Sequence, residues 1–342
     1  MKRVVCFGEI MMRLNPKSYL RFLQASEFEA SYAGGEANVA VSLAHFGVNA
    51  AYVTKVPSHE IGQSAVNELR RFGVDTSGIL RGGERLGIYF VEKGASQRAS
   101  KVIYDRAHSA IMEAKSGEFD WETLLKGADW FHFTGITPAL SDNCAQVCKE
   151  ALASAKKLGV LVSCDLNYRK KLWSREKAGQ VMGELMSSVD VCIANEEDAA
   201  DVFGIRAADT DINAGALSHE GYISVAKQLT DRFGFQKVAV TLRGSISASD
   251  NNWSGMLYDG KSGAASFGPD YSVRIVDRVG GGDSFGAALI YSQLEGWDDQ
   301  KAVNFAVAAS CLKHTIEHDF NIIGLAEIEA LAAGNASGRV QR

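Results

Sequence analysis

Short, unbroken apolar runs alternate along this chain with longer stretches of helical periodicity, and few folds accommodate that rhythm. Residues 4–7, 50–56, 130–134, 160–165, 191–194 and 237–241 read as strands, while 36–45, 61–72, 144–157, 177–188 and 223–233 carry apolar residues at helical spacing. A strand that is apolar on both faces has to be covered on both. The alternation therefore predicts a central, mainly parallel sheet between two layers of helix, a three-layer α/β/α core. Two segments interrupt it. Residues 13–33 and 86–107 mix polar and aromatic side chains, among them Tyr32, Tyr89, Phe90 and Tyr104, and read as insertions forming a small β-sheet lid. With that lid, residues 1–342 are expected to make a single domain, helical after residue 283 through 297–315 and 325–332, with 334–342 frayed.

Charge and cysteine usage narrow the setting. A net charge of -5 and a pI near 5.9 argue against nucleic acid or an anionic membrane as partner, so an anionic small molecule would have to be met by local arginines. No apolar run approaches the roughly 20 residues that span a bilayer, and the start of the chain reads as a first strand and not as a signal peptide. The six cysteines lie mostly inside apolar runs without paired CxxC spacing, which predicts buried, reduced thiols and a cytoplasmic protein. The seven histidines show no metal-ligand spacing and read as structural or surface residues, so no metal-ligating residue is assigned.

The run Asp277-Arg278-Val279-Gly280-Gly281-Gly282-Asp283-Ser284-Phe285 stands immediately before an apolar helical stretch. Three glycines allow successive backbone N–H groups to face one concavity, and a helix starting there adds the positive end of its dipole, so the run reads as a phosphate cradle. Asp283 at its rim would repel a phosphate. A carboxylate there makes sense as a base taking the proton from a hydroxyl that attacks the phosphate, the other reading being a helix cap. No GxxxxGK[ST] motif, HRD or DFG tripeptide, or N-terminal dinucleotide fingerprint is present. A second glycine pair, Gly34-Gly35, opens the helix that carries Asn38, whose amide can both donate to and accept from sugar hydroxyls.

Gly34-Gly35 with Asn38, then Asn195-Glu196-Glu197-Asp198, then Asp277 through Asp283, occur in the order and approximate spacing of the ribokinase-like (PfkB) family of carbohydrate kinases, which the chain resembles over nearly its whole length. The resemblance implies an ATP- and Mg²⁺-dependent sugar kinase in which Asp283 is the general base and the N–H groups of Gly280, Gly281, Gly282 and Asp283 form the anion hole. Within the family, Gly8-Glu9-Ile10-Met11-Met12-Arg13-Leu14, Tyr104-Asp105-Arg106-Ala107, Asp165-Leu166-Asn167-Tyr168-Arg169 and Leu312-Lys313-His314-Thr315 are most similar to the branch acting on the 6-hydroxyl of 2-keto-3-deoxygluconate. Fructokinase and other sugar kinases are the alternative, a non-catalytic sugar-acid and nucleotide sensor a weaker one.

On this resemblance, Gly34, Gly35, Asn38, Tyr89, Tyr104, Arg106, Arg169 and Asp277 would bind the sugar acid. Asn167, Asn195, Asp198, Thr241, Arg243 and Gly244 would attend the nucleotide. Asp198 stands where the family usually has Glu. A guanidinium beside tyrosines independently suits a carboxylate-bearing sugar, since Arg pairs with carboxylates in bidentate fashion and aromatic rings pack on sugar faces. Pairing of two copies through the exposed face of the lid is a further expectation.

Overall fold

The computed structural model describes residues 2–207 and 219–335. Among the described residues, fourteen strands form two sheets: β1 (Arg3–Phe7), β2 (Met11–Asn15), β3 (Glu29–Ala33), β4 (Asn49–Val56), β5 (Ile79–Arg81), β6 (Gly87–Glu92), β7 (Lys101–Asp105), β8 (Trp130–Thr134), β9 (Leu161–Asp165), β10 (Val191–Ala194), β11 (Lys237–Ser245), β12 (Asp250–Asp259), β13 (Ala265–Phe267) and β14 (Tyr271–Arg274). The large sheet runs β13-β12-β11-β10-β9-β8-β1-β4-β5, with β14 paired to β12. From β11 to β5 every pairing is parallel. The strands of that block that read as apolar are indeed buried, β8 and β10 along their whole length. Helices cover both faces, so that two hydrophobic clusters lie on opposite sides of the sheet: Val4 and Cys6 face one, Val5 and Phe7 the other. The three-layer core expected from the alternation is present.

Beyond β11 the sheet turns antiparallel. Strand β11 was expected at 237–241; its continuation to Ser245, its pairing with β12, and the strands β13 and β14 were not. Strand β12, interior between β11 and the strands β13 and β14, opens with the polar run Asp250-Asn251-Asn252-Trp253-Ser254, which carries no continuous apolar signal.

The two irregular segments pair with each other. The second sheet has the order β3-β2-β6-β7 and draws β2 and β3 from the first segment, β6 and β7 from the second. Its inner surface is fixed to the core by a buried ionic cluster: Arg13 on β2 reaches Asp277 and Asp319, both at 2.5 Å, and the Tyr89 hydroxyl on β6 donates to Asp319 at 2.8 Å. All six cysteines are free and buried. Among the described residues no helix is long and apolar enough to cross a membrane. The fraying expected for 334–342 falls mainly outside the described residues.

Candidate active site

Strand order places the site. β1 has β4 on one side and β8 on the other, so successive crossovers leave in opposite directions and open a crevice beyond the carboxyl ends of the strands. A cavity of about 1020 Å³ lies there, lined by the segments that follow β1, β8, β9 and β10, by the far half of β11, by the small sheet and by the glycine run. It has room for two small ligands side by side, since single-ligand pockets hold about 300–1000 Å³.

At its floor the helix Gly281–Leu294 begins. Gly280 holds the N-cap position with φ 85°, a left-handed conformation, and a Cβ there would come within 2.1 Å of Asp319 O. Only glycine satisfies both conditions. Asp283 stands in the first turn, and its Oδ2 accepts from Asn38 Nδ2 at 2.6 Å, across from the helix Gly35–His45. The cap reading of Asp283 is thus replaced: a glycine caps the helix and the carboxylate is turned to a group from another element. Burial pushes the Asp283 carboxyl up to about 6, opposed by the Asn38 hydrogen bond and by Arg169 and Lys313, and reinforced by Asp319.

Gly34 lies against the chain after β1, where a Cβ would fall 1.9 Å from Glu9 O. That close approach brings Glu9 to the cavity wall. Glu9 Oε2 accepts from Arg106 Nε at 2.8 Å and from Nη2, while Ser109 Oγ donates to Oε1 at 2.6 Å. The guanidinium also lies 5.2 Å from the Tyr104 ring, which stacks on Tyr89 with centroids 6.1 Å apart. Arg106 therefore lines the cavity as expected, but its two-pronged edge is taken by Glu9. A buried guanidinium requires a counter-ion before any ligand arrives, and the opposite nitrogen, Nη1, is the one left for a ligand.

On the other flank, Asn195 caps the helix Glu196–Phe203 by accepting from Asp198 N at 2.8 Å, and Asp198 Oδ1 accepts from Tyr168 N at 3.0 Å. Burial raises the Asp198 carboxyl to about 6 despite Arg169 and those hydrogen bonds, and pushes Asp165 well above the usual carboxylate range, with Asp198 and Asp283 adding repulsion. Arg169, exposed at the cavity rim, faces all three carboxylates. Asn167, with φ 38°, turns the chain there.

Gly34, Gly35, Asn38, Tyr89, Tyr104, Arg106, Asn167, Arg169, Asn195, Asp198, Thr241, Arg243 and Gly280 through Asp283 all line this one cavity. Two expected residues do not. Asp277 is buried behind it, where Arg13 takes its carboxylate, so it supports the cradle from beneath instead of meeting a sugar. Gly244 lies in the β11–β12 ladder opposite Asn252. Glu9, Glu36, Asp165, Lys170, Lys171 and Asp319 line the cavity without having been expected there. Glu36 follows the glycine pair and could have been suspected; it accepts from Thr134 N, Thr134 Oγ1 and Thr137 Oγ1, and burial lifts it to about 7. Asp319 carried no sequence signal.

A glycine-lined anion cradle with a carboxylate in its first turn, at the carboxyl edge of a parallel sheet and faced by a small β-sheet, defines a phosphotransferase with an alcohol acceptor. The chain belongs to the pfkB family of carbohydrate kinases, whose family model matches residues 1–317. The crystal structure of 2-dehydro-3-deoxygluconokinase from Thermotoga maritima is similar with a TM-score of 0.94 and 51% identity, covering 98% of this chain and 100% of that one. A 2-dehydro-3-deoxygalactonokinase of Haloferax volcanii is 32% identical over 335 residues, 98% of each chain. A PfkB family carbohydrate kinase from Listeria grayi is similar with a TM-score of 0.89 and 36% identity, covering 97% of this chain and 100% of that one.

Proposed function

We propose that this kinase transfers the γ-phosphoryl group of ATP to the terminal 6-hydroxyl of 2-keto-3-deoxygluconate. The observation that carries the chemistry is the Asn38–Asp283 contact at the mouth of the glycine cradle. Asn38 holds one carboxylate oxygen and leaves the other for the acceptor hydroxyl. As the hydroxyl oxygen bonds to phosphorus and the bond to the leaving diphosphate oxygen breaks, Asp283 takes the hydroxyl proton. The N–H groups of Gly280 to Asp283 and the Arg169 guanidinium offset charge on the moving phosphoryl group.

The donor set suits magnesium. Among the described residues no group of three or more acidic, histidine or cysteine side chains can hold a metal ion by itself. Magnesium typically takes only one or two carboxylates, keeps several waters and binds through substrate phosphates. Asp198 and Asn195, with Asp165 beside them, would hold those waters. Held there, the ion would supply positive charge that offsets the charge on the phosphates.

The choice of acceptor rests on the other half of the cavity. Tyr89, Tyr104 and the remaining nitrogen of Arg106 offer aromatic faces and a charged donor, and Lys170 and Lys171 line the cavity near Arg169. Two of the three relatives above carry 2-keto-3-deoxy sugar acids in their names. On this reading the small sheet is the lid of one catalytic domain. A panel of 2-keto-3-deoxygluconate, its C4 epimer, fructose and ribose with ATP, read by ADP release, is expected to give the highest kcat/KM with the keto acids. Fructose or ribose turned over as well as the keto acids would replace the proposal with a neutral-sugar kinase.

A further inference from the structure

Lys313, the last residue of the helix Asp299–Lys313, has no solvent exposure at all. Burying a lysine without purpose is costly, and its ammonium makes two hydrogen bonds, both to main-chain carbonyls. It donates to Asp277 O at 3.4 Å and to His318 O. Asp277 is the stem of the glycine cradle, and His318 precedes Asp319, the residue on whose carbonyl Gly280 packs. The same stem is held by Val276 N and Asp277 N, which donate to His314 O at 2.8 and 3.3 Å, and by Ser310 Oγ, which donates to Gly281 O at 2.6 Å. The cradle is thus supported from below by the end of one helix and the turn after it, with Lys313 as the charged member of that support.

We propose that Lys313 is a positioning residue for phosphoryl transfer: its ammonium ties the stem of the cradle to the turn at His318 and adds positive charge beneath Asp283. The inference rests on the reading of Gly280 to Asp283 as the transfer site. The ammonium touches neither substrate, so its effect runs through two routes. The first is geometric, because a carbonyl released from the ammonium lets the stem shift, and a displacement of about 1 Å at a transfer site costs on the order of a hundredfold in rate. The second is electrostatic. The charged groups facing Asp283 are Arg169 and Lys313, which favour its ionised form, and Asp319 and Asp165, which oppose it. Burial holds the Lys313 ammonium below its usual pKa, with Arg13 adding to that and Asp277, Asp319 and Asp283 opposing it in favour of the charged form. Removing the lysine charge leaves the carboxylates in excess and raises the pH at which Asp283 gives up its proton.

The test compares Lys313→Met, which fills the space without charge or donor, with Lys313→Gln, which keeps a donor but no charge. Lys313→Met is expected to lower kcat roughly 10- to 100-fold with KM for both substrates within about threefold, and to move the acid limb of kcat/KM to higher pH. Amide hydrogen exchange across 277–285 is expected to quicken in Lys313→Met, and this readout holds whatever the sugar is. Lys313→Gln should recover part of kcat while keeping the displaced limb. A folded Lys313→Met, or Lys313→Gln where the Met variant does not fold, with the wild-type limb and wild-type exchange at 277–285 overturns the proposal. Should Asp283→Ala keep wild-type turnover, the transfer-site reading itself fails, an outcome distinct from any Lys313 result.

Discussion

At the scale of single residues, the base proposed for the site is a carboxyl group set against its surroundings. Asp283 is raised to about 6 chiefly by burial, so it is a better base than an exposed aspartate yet mostly ionised at neutral pH. Its folded-site proton must be absent for it to accept another. Activity is therefore expected to decline as pH falls through about 6, and Asp283→Ala to lose on the order of 10²–10⁴ in kcat with little change in KM. Asn38→Ala removes a hydrogen bond that lowers the Asp283 pKa, so its acid limb should appear at higher pH than that of the wild type; a limb that stays in place would dissociate Asn38 from the base. Arg106→Ala is expected to raise the sugar-acid KM at least tenfold while leaving kcat within about threefold, since a charge-assisted contact contributes roughly 1.5–3 kcal/mol. An unchanged KM would remove Arg106 from recognition. The run at 280–283 was legible as a helix start lining the cavity because consecutive glycines ahead of an apolar stretch carry their own local chemistry. The partner of Arg106 was not: Glu9 lies 97 positions away, and a side chain read alone shows its charge but not who already holds it.

At the scale of elements, the join between the small sheet and the core centres on a buried ionic cluster around Arg13, with Tyr89 hydrogen-bonded to Asp319 beside it. Arg13 is wholly buried between Asp277 and Asp319, and those carboxylates raise its affinity for its proton while burial opposes them. Removing one partner from such a cluster strands the others, at a cost of about 3–5 kcal/mol. Arg13→Met is accordingly expected to lower the urea midpoint markedly, with Asp277 and Asp319 left without their salt-bridge partner, and equilibrium unfolding followed by tryptophan fluorescence measures it. A midpoint within experimental error of the wild type would show that the cluster contributes nothing net. The elements themselves were readable where burial imposes a period: the helix Leu325–Ala332 and the strand Val191–Ala194 fall where the pattern places them. Strand β12, unlike β11, escaped because its first half, Asp250-Asn251-Asn252-Trp253-Ser254, is of mixed polarity and leaves no continuous apolar run. Asp277 was misplaced for another reason. Its neighbour in the sequence is the cradle, whereas its neighbour in space is Arg13, 264 residues earlier.

At the scale of the whole molecule, an acidic chain has to gather two anions into one crevice. The net charge of -5 repels both substrates at long range, so capture must depend on the cations concentrated at the cavity: Arg106, Arg169, Lys170, Lys171, Arg243 and Arg278. Arg106 is neutralised by Glu9, whereas Arg169, Lys170 and Lys171 stand together at the exposed rim beyond β9, where attraction acts through water and is screened within a Debye length of roughly 8 Å at physiological salt. The buried groups that execute transfer are shielded from the same ions. Raising ionic strength is therefore expected to increase KM for the sugar acid and for ATP severalfold while leaving kcat nearly constant. Lys170→Gln with Lys171→Gln should raise both KM values at low salt and flatten their dependence on salt, without moving the acid limb set by Asp283. Initial rates over a series of sodium chloride concentrations at fixed magnesium decide it. A kcat that falls with salt while KM stays fixed would place the sensitive charges inside the transfer site and not at its entrance.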